Sequence, residues 1–188
     1  MIVIIFYGFF LFLFVIGLLW ILIPAFYGPP SHPTHPDRIR RALKFANLQP
    51  DEILYDLGAG DGRVLLIAAQ EFGAKPVGVE VGPVQCTLIR LRIAASGLAD
   101  KIQLKWEDYF KMDLTQADVV FLYATSREAT RLAPLLERQM KPDSRLISIS
   151  VDFPEWEPSQ FDNGDLIFIY VMPPQRGNLT TYLLKQDS

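Results

Sequence analysis

A short run of glycines and aspartates, "YDLGAGDGR" at residues 55–63, is the part of the sequence best suited to chemistry. Its glycines stand at every second position, beside two aspartates: Gly58, Gly60, Gly62, Asp56 and Asp61. Glycines at a turn let a ligand approach main-chain atoms without a Cβ in the way. Pyrophosphate-binding loops carry G-x-G-x-x-G instead, and two carboxylates would repel a pyrophosphate. The run therefore favours a positively charged ligand, with an ordinary strand-to-helix turn as the alternative interpretation.

A further carboxylate, Glu80, ends the next predicted strand. A carboxylate at that position can accept hydrogen bonds from both hydroxyls of a ribose. An acidic glycine loop followed by a ribose acceptor suits a nucleoside with a cationic tail. S-adenosylmethionine, which carries an ammonium and a sulfonium, is such a molecule, and the sequence predicts it as the cofactor.

The elements that position these residues alternate between strand and helix, which indicates an α/β fold with a parallel sheet between helices. Apolar periodicity, glycines and prolines predict the boundaries. The predicted strands are 53–57, 76–80, 102–106, 117–123, 145–151, 165–172 and 179–185, and the predicted helices are 37–48, 61–72, 83–96 and 126–140. The connection "PPQRGN" is too short for a parallel crossover, so the last two strands must form an antiparallel hairpin.

The N-terminal part of the chain is strongly apolar, and the first charged residue is Asp37. Residues 2–23 would span roughly 33 Å as a helix, which is enough to cross a bilayer. No basic residue precedes them, as a signal peptide would require, and the segment is too long for one. We therefore expect a transmembrane helix in an anchor at 1–26, with the bilayer as a partner.

The charge and proline pattern predicts how the rest of the chain is organised. The linker at 27–36 is proline-rich and should be extended. His32 and His35 within it are interpreted as solvated linker residues, not as metal ligands. The basic residues at 38–44 predict a single-pass membrane protein with its domain, residues 37–188, on the cytoplasmic side.

Composition excludes several functions. The net charge is −3 and the sequence pI about 5.4, which argues against non-specific nucleic-acid binding. The single cysteine, Cys86, permits no intramolecular disulfide, and no Cys/His cluster indicates a metal site. The sequence therefore predicts neither a nucleic-acid partner nor a metal.

With these motifs, the sequence resembles class I S-adenosylmethionine-dependent methyltransferases over about residues 27–185. The resemblance implies a Rossmann-like seven-stranded sheet with strand order 3-2-1-4-5-7-6 and an antiparallel closing hairpin. "YDLGAGDGR", the "P-x-x-P" linker with its basic helix, and "VDFPEW" after the fifth strand look like the small membrane-anchored protein lysine methyltransferases. Their mitochondrial members modify the c-ring protein of ATP synthase and the adenine nucleotide translocase.

The resemblance also implies roles for individual residues. Those matching Asp56, Gly58, Gly60 and Asp61 surround the methionine part of the cofactor, and the residue matching Glu80 binds the ribose. Asp108 would contact the adenine amino group, with Glu107 as an alternative and Trp106 bordering the ring. A helix or turn cap is the alternative role for Asp108. Gly82 departs from the family, where a polar residue commonly caps the next helix.

The acceptor side of the site should lie at the ends of the fourth and fifth strands, where ligands bind in open α/β sheets. Tyr123, Asp152 and Trp156 are the candidate catalytic residues there. Tyr123 can equally cap the core, and "FPEW" can be only a rigid turn. The predicted activity is methylation of a lysine in a membrane protein. A small-molecule or lipid methyltransferase and a non-catalytic S-adenosylmethionine-binding protein are the alternatives.

Overall fold

A computed structural model describes the backbone of residues 2–27 and 34–186, and the side chains of residues 6–19 and 34–186. The helices are α1 (Ile2–Tyr27), α2 (Pro36–Phe45), α3 (Arg63–Glu71), α4 (Pro83–Ser96), α5 (Ser126–Gln139) and α6 (Leu179–Gln186). The strands are β1 (Ile53–Leu57), β2 (Lys75–Glu80), β3 (Gln103–Trp106), β4 (Val119–Leu122), β5 (Arg145–Ile149), β6 (Trp156–Glu157), β7 (Gln160–Asp162), β8 (Ile167–Val171) and β9 (Gln175–Arg176).

The main sheet has seven strands in the order β3-β2-β1-β4-β5-β8-β7. Strands β1 to β5 are parallel, and β8 runs antiparallel to both β5 and β7. With the short β6–β9 ribbon set apart, β7 and β8 are the sixth and seventh strands of this sheet. The predicted α/β sheet and its strand order are confirmed.

The residues of the closing hairpin differ from the prediction. The hairpin is β7 with β8, and the segment predicted as the last strand, 179–185, forms α6. The side chain of Asn178 accepts hydrogen bonds from the backbone N–H and hydroxyl of Thr181, at 3.0 and 3.2 Å, which caps the first turn of this helix. The cap and the helical spacing of Leu179 and Leu183 outweigh the strand preference of the threonines and tyrosine.

The N-terminal helix requires a second correction. Within residues 2–27 and 34–186, no helix is long and apolar enough to cross a membrane. The part of α1 with described side chains, residues 6–19, extends only about 21 Å, whereas a bilayer core is about 30 Å thick. This overturns the predictions of a transmembrane anchor at 1–26 and of a single-pass membrane protein with a cytoplasmic domain. Bilayer contact through residues 2–23 is likewise unsupported, and most of the predicted linker, including His32, lies outside the described residues.

Helices cover both faces of the sheet and fix its carboxyl edge. On one face, α2 and α3 pack on β1, β4, β5 and β8, and α4 packs beside α3. On the other face, α5 and the chain segment after β5 cover the strands. Because β1 to β5 are parallel, the loops that follow them meet at one edge of the sheet, and nearly all the predicted site residues lie there.

Candidate functional site

The glycine loop makes a tight turn from β1 into α3. Gly58, Gly60 and Gly62 have φ angles of +91°, +56° and +78°, a backbone region that side chains with a Cβ rarely adopt. The N–H groups of Gly58 and Ala59 both donate to the carbonyl of Val79, at 2.9 and 3.0 Å, and tie the loop to β2. The loop therefore exposes main chain at the carboxyl edge while its own shape is fixed.

Asp56 lies beneath this loop as a buried, uncompensated carboxyl. It is 4% exposed, and its Oδ2 has no hydrogen-bond partner among the described residues. Burial, and then the charges of Glu80 and Asp61, raise the pKa of Asp56 to about 8. At neutral pH the free protein therefore holds this carboxyl in its protonated form, and a bound cation would favour its ionisation.

Glu80 is held by three backbone N–H groups. Its Oε1 accepts from Val81 and Gly82, at 2.9 and 2.8 Å, and its Oε2 accepts from Gly60 at 2.8 Å. A carboxylate offers about four lone-pair positions, so these bonds leave about one, on Oε2. Glu80 is thus well oriented for a ribose, but it cannot accept from both hydroxyls without giving up a bond to the loop.

Asp61 faces arginines. Arg63 binds both carboxylate oxygens, with distances from 2.6 to 3.0 Å, and Arg92 lies 2.9 Å from Oδ2. Burial alone would raise the pKa of Asp61, but the hydrogen bonds from the two arginines outweigh it and lower the pKa to about 2. The carboxylate therefore joins the loop to α3 and α4, and its predicted contact with the methionine part of a cofactor stays a prediction.

The start of α2 is joined to loops on both sides of the site. Arg63 donates to the backbone carbonyl of Thr34 at 3.0 Å. Arg38 donates to the Ser150 hydroxyl at 2.7 Å and to the carbonyl of Asp165. The chain that leads into α2 thereby spans from the glycine loop to the loop after β5. Sequence reasoning missed these contacts, because nothing in a basic helix indicates which carbonyls its arginines will reach.

The loop after β3 holds the predicted adenine-side residues. Asp108 accepts from the N–H of Phe110 at 3.0 Å and caps the 3₁₀ turn Tyr109–Lys111, which is the alternative role considered for it. Trp106 is paired with Glu80 across β2 and β3, and its side chain is 60% exposed. A wide aromatic surface thus borders the ribose acceptor, and adenine contacts by Asp108 or Glu107 stay predictions.

Two of the three acceptor-side candidates lie at the carboxyl edge. Tyr123 follows β4 and is 41% exposed, and Asp152 follows β5 and is partly buried. Trp156 is 2% exposed, stacks on Phe153 with ring centroids 4.6 Å apart, and lies 5.7 Å from Tyr170.

Tyr170 is the register partner of Leu146, near the start of β5. Trp156 therefore packs towards the opposite edge of the sheet, and its burial favours a role in packing over contact with a substrate.

A tyrosine–glutamate pair connects the loops after β3 and β4. The Tyr109 hydroxyl donates to Glu128 Oε1 at 2.6 Å, and Glu128 Oε2 accepts from the N–H and hydroxyl of Thr125 at the start of α5. The T-x-x-E pattern at 125–128 signals this capping box in the sequence. Nothing in the sequence indicates that Tyr109 joins it.

These residues fit S-adenosylmethionine. The unpartnered Oδ2 of Asp56 lies next to a loop whose main chain is exposed, and a remaining lone pair of Glu80 points outward from the same loop. A donor set of carboxylates and main-chain groups suits a nucleoside with an ammonium and a sulfonium. Over the ranges that the structure describes, no group of three or more His, Cys, Asp or Glu side chains is arranged to hold a metal ion.

A family model described as "ANTKMT methyltransferase domain" matches residues 56–160, which is more than half of the chain. A protein-lysine N-methyltransferase from Saccharolobus islandicus is 30% identical over 150 residues, covering 76% of this chain and 93% of that protein. A Mus musculus lysine N-methyltransferase named for the c-ring protein of ATP synthase is 29% identical, covering 66% of this chain and 51% of that protein. The adenine nucleotide translocase lysine N-methyltransferase of Mus musculus is 26% identical, covering 64% and 52%. The chain thus spans about half the length of these two mouse relatives.

Among solved structures, an RNA methyltransferase from Salinibacter ruber in complex with S-adenosyl-L-homocysteine is similar, with a TM-score of 0.74 and 31% identity. The match covers 77% of this chain and 96% of that one. Together with the glycine loop and the strand order, these similarities identify the cofactor as S-adenosylmethionine and the protein as a methyltransferase. The chain belongs to the ANTKMT methyltransferase family, among the S-adenosylmethionine-dependent protein-lysine methyltransferases.

Proposed function

We propose that the protein methylates the ε-amine of a lysine in another protein, and that this acceptor is a membrane protein. The observation that carries the reaction is the 30% identity to a protein-lysine N-methyltransferase over 93% of that protein's length. The class of acceptor is supported by the two mouse relatives, whose names give the c-ring protein of ATP synthase and the adenine nucleotide translocase as substrates.

The bound cofactor supplies a methyl group activated by a sulfonium. The amine lone pair attacks the methyl carbon, the carbon–sulfur bond breaks, and its electron pair stays on sulfur. Since an unperturbed lysine has a pKa near 10.4, the protein must favour the neutral amine or accept its proton. Tyr123 and Asp152 are the groups proposed to orient the amine, because both lie beyond the carboxyl ends of central strands. Asp152 is the proposed proton acceptor.

Carboxylates predominate along this edge, which suits a cationic acceptor. Asp56, Glu80, Asp108 and Asp152 all lie on the loops or strand ends that face it. Arg63 and Arg92 are both engaged by Asp61 and therefore do not offset those charges. A protonated lysine side chain would be attracted to such an edge before it loses its proton.

RNA methylation is the second candidate, because the similar Salinibacter ruber structure is described as an RNA methyltransferase. The net charge of −3 counts against it, since RNA binding needs basic surface to neutralise phosphates. A lipid or small-molecule acceptor is the remaining alternative.

The test uses the full chain, S-adenosylmethionine with a labelled methyl group, and membranes from cells that lack the protein. Protein, lipid and RNA fractions are then separated, and labelled protein is hydrolysed to detect methyl-lysine. We expect the label in methyl-lysine of a membrane protein. Label confined to RNA or to lipid would refute the proposal.

The role of Asp152 is tested by Asp152→Asn, which removes the proton acceptor but keeps the shape of the side chain. We expect turnover to fall at least tenfold, with affinity for S-adenosylhomocysteine unchanged, because Asp152 lies on the acceptor side. Asp100→Asn is the matched control, since Asp100 is exposed in the turn before β3, at the other edge of the sheet. Unchanged turnover in Asp152→Asn would exclude this role.

A further inference from the structure

Gln85 stands in the first turn of α4, directly beside the ribose acceptor Glu80. The helix begins after Gly82, which provides no side-chain cap. A Cβ added at Gly82 would lie 2.2 Å from Gln85 Oε1 and 3.2 Å from Glu80 Oε1. The carboxamide of Gln85 and the carboxylate of Glu80 therefore border the same small space, which Gly82 keeps open.

The amide oxygen of Gln85 is an unused acceptor. Its Oε1 is buried and has no hydrogen-bond partner among the described residues. Leaving a buried acceptor unpaired costs free energy, so a native protein retains one where a ligand satisfies it. The N-cap N–H that a residue three positions into a helix usually reaches is that of Gly82, and Glu80 already accepts from it.

Glu80 needs help with a ribose, because three N–H groups occupy about three of its four lone-pair positions. One ribose hydroxyl can donate to Glu80 Oε2, and the other needs a different acceptor nearby. Gln85 Oε1 is buried, adjacent and unpartnered.

We propose that Gln85 is a cofactor-binding residue, which accepts a hydrogen bond from one ribose hydroxyl of S-adenosylmethionine while Glu80 accepts from the other. This also explains Gly82, since any side chain at that position would displace the carboxamide. The proposal rests on the cofactor of the proposed function and not on its acceptor. Its test therefore measures binding alone, and its outcome is independent of whether lysine is methylated.

Binding of S-adenosylhomocysteine and of its 2′-deoxy and 3′-deoxy analogues is measured by calorimetry for the full chain and for Gln85→Met. Methionine keeps the length of the side chain but cannot replace the amide oxygen. We expect Gln85→Met to bind S-adenosylhomocysteine roughly threefold to tenfold more weakly, as the loss of one neutral hydrogen bond predicts. One of the two deoxy analogues should be bound equally by both proteins, because it lacks the hydroxyl in question.

Two further variants complete the test. Gln70→Met, on the exposed side of α3, should bind all three ligands like the wild type. Gly82→Ala should reproduce the loss seen in Gln85→Met by displacing the carboxamide, and the double variant should be no weaker than either single one. Equal weakening of all three ligands by Gln85→Met, unchanged affinity, or additive losses in the double variant would each overturn the proposal.

Discussion

Replacing Asp56 by Asn should stabilise the free protein while weakening its cofactor binding. In the unfolded chain this carboxyl has its ordinary pKa of 3.8, whereas in the fold its pKa is about 8. The folded protein therefore binds a proton more tightly than the unfolded chain. The stability that this proton contributes is fully present below about pH 4 and is lost as the pH rises towards 8. Asparagine has the shape of the protonated carboxyl and does not titrate, so the variant avoids this loss.

The size of the effect follows from the two pKa values. At pH 7 the unfolded carboxyl is ionised by about three pH units, while the folded one is still mostly protonated. One pKa unit corresponds to about 1.4 kcal/mol, which sets a ceiling of about 4 kcal/mol on the gain at pH 7. The gain should vanish near pH 4, increase up to about pH 8 and stay constant above it.

Urea unfolding of the full chain and of Asp56→Asn at several pH values between 4 and 9 measures this directly. The m-value should not change, because the same surface is exposed on unfolding. Asp113→Asn is the control with the opposite sign. The N–H and hydroxyl of Thr115 lower the pKa of Asp113, so its replacement should reduce stability at pH 7. A stability difference for Asp56→Asn that is absent at pH 8, or the same at every pH, would refute the reasoning.

Three other variants test separate parts of the structure. Asp61→Asn should lower stability at neutral pH, because the ionised carboxylate binds two arginines, and the difference should shrink as the pH falls towards 2; a pH-independent difference in urea titrations would contradict this. Trp156→Ala should cost about 3–5 kcal/mol of unfolding free energy as a buried aromatic truncation, and the folded variant should bind S-adenosylhomocysteine normally, so a binding defect without instability would argue for a role in the site. Tyr109→Phe and Tyr170→Phe should each cost about 0.5–1.5 kcal/mol in urea unfolding, but only the first should weaken cofactor binding in calorimetry, because only Tyr109 lies at the carboxyl edge; equal effects of both on binding would contradict this.

The first five strands and the helices between them could be predicted because local signals agree there. The strand at 53–57 and the helix at 83–96 have the predicted bounds, since a glycine or proline marks their ends and an apolar pattern fills them. The strand at 160–162 was missed because "QFD" is short and half polar. Its strand character comes from pairing with β8, a contact that local sequence does not show.

In the site, the sequence predicted which residues reach the carboxyl edge better than what they contact. Asp56 and Glu80 lie where a loop after a strand must place them. Asp61 stands in the same motif, but arginines from two helices bind it, and one of them comes from α4, 31 residues further along the chain. Trp156 was assigned to the site from its position after β5, whereas the chain turns there and buries the ring against Tyr170.

The contacts at the start of α2 determine where the folded unit can be shortened. Thr34 offers its carbonyl to Arg63, and two residues later α2 begins. A recombinant fragment that starts at Asp37, the first charged residue, would lack that carbonyl and the first residue of the helix. The guanidinium of Arg63 would then keep only Asp61 as its partner, and the glycine loop would lose its brace on the side facing α2. A truncated protein intended for crystallisation or binding studies should therefore begin no later than Thr34.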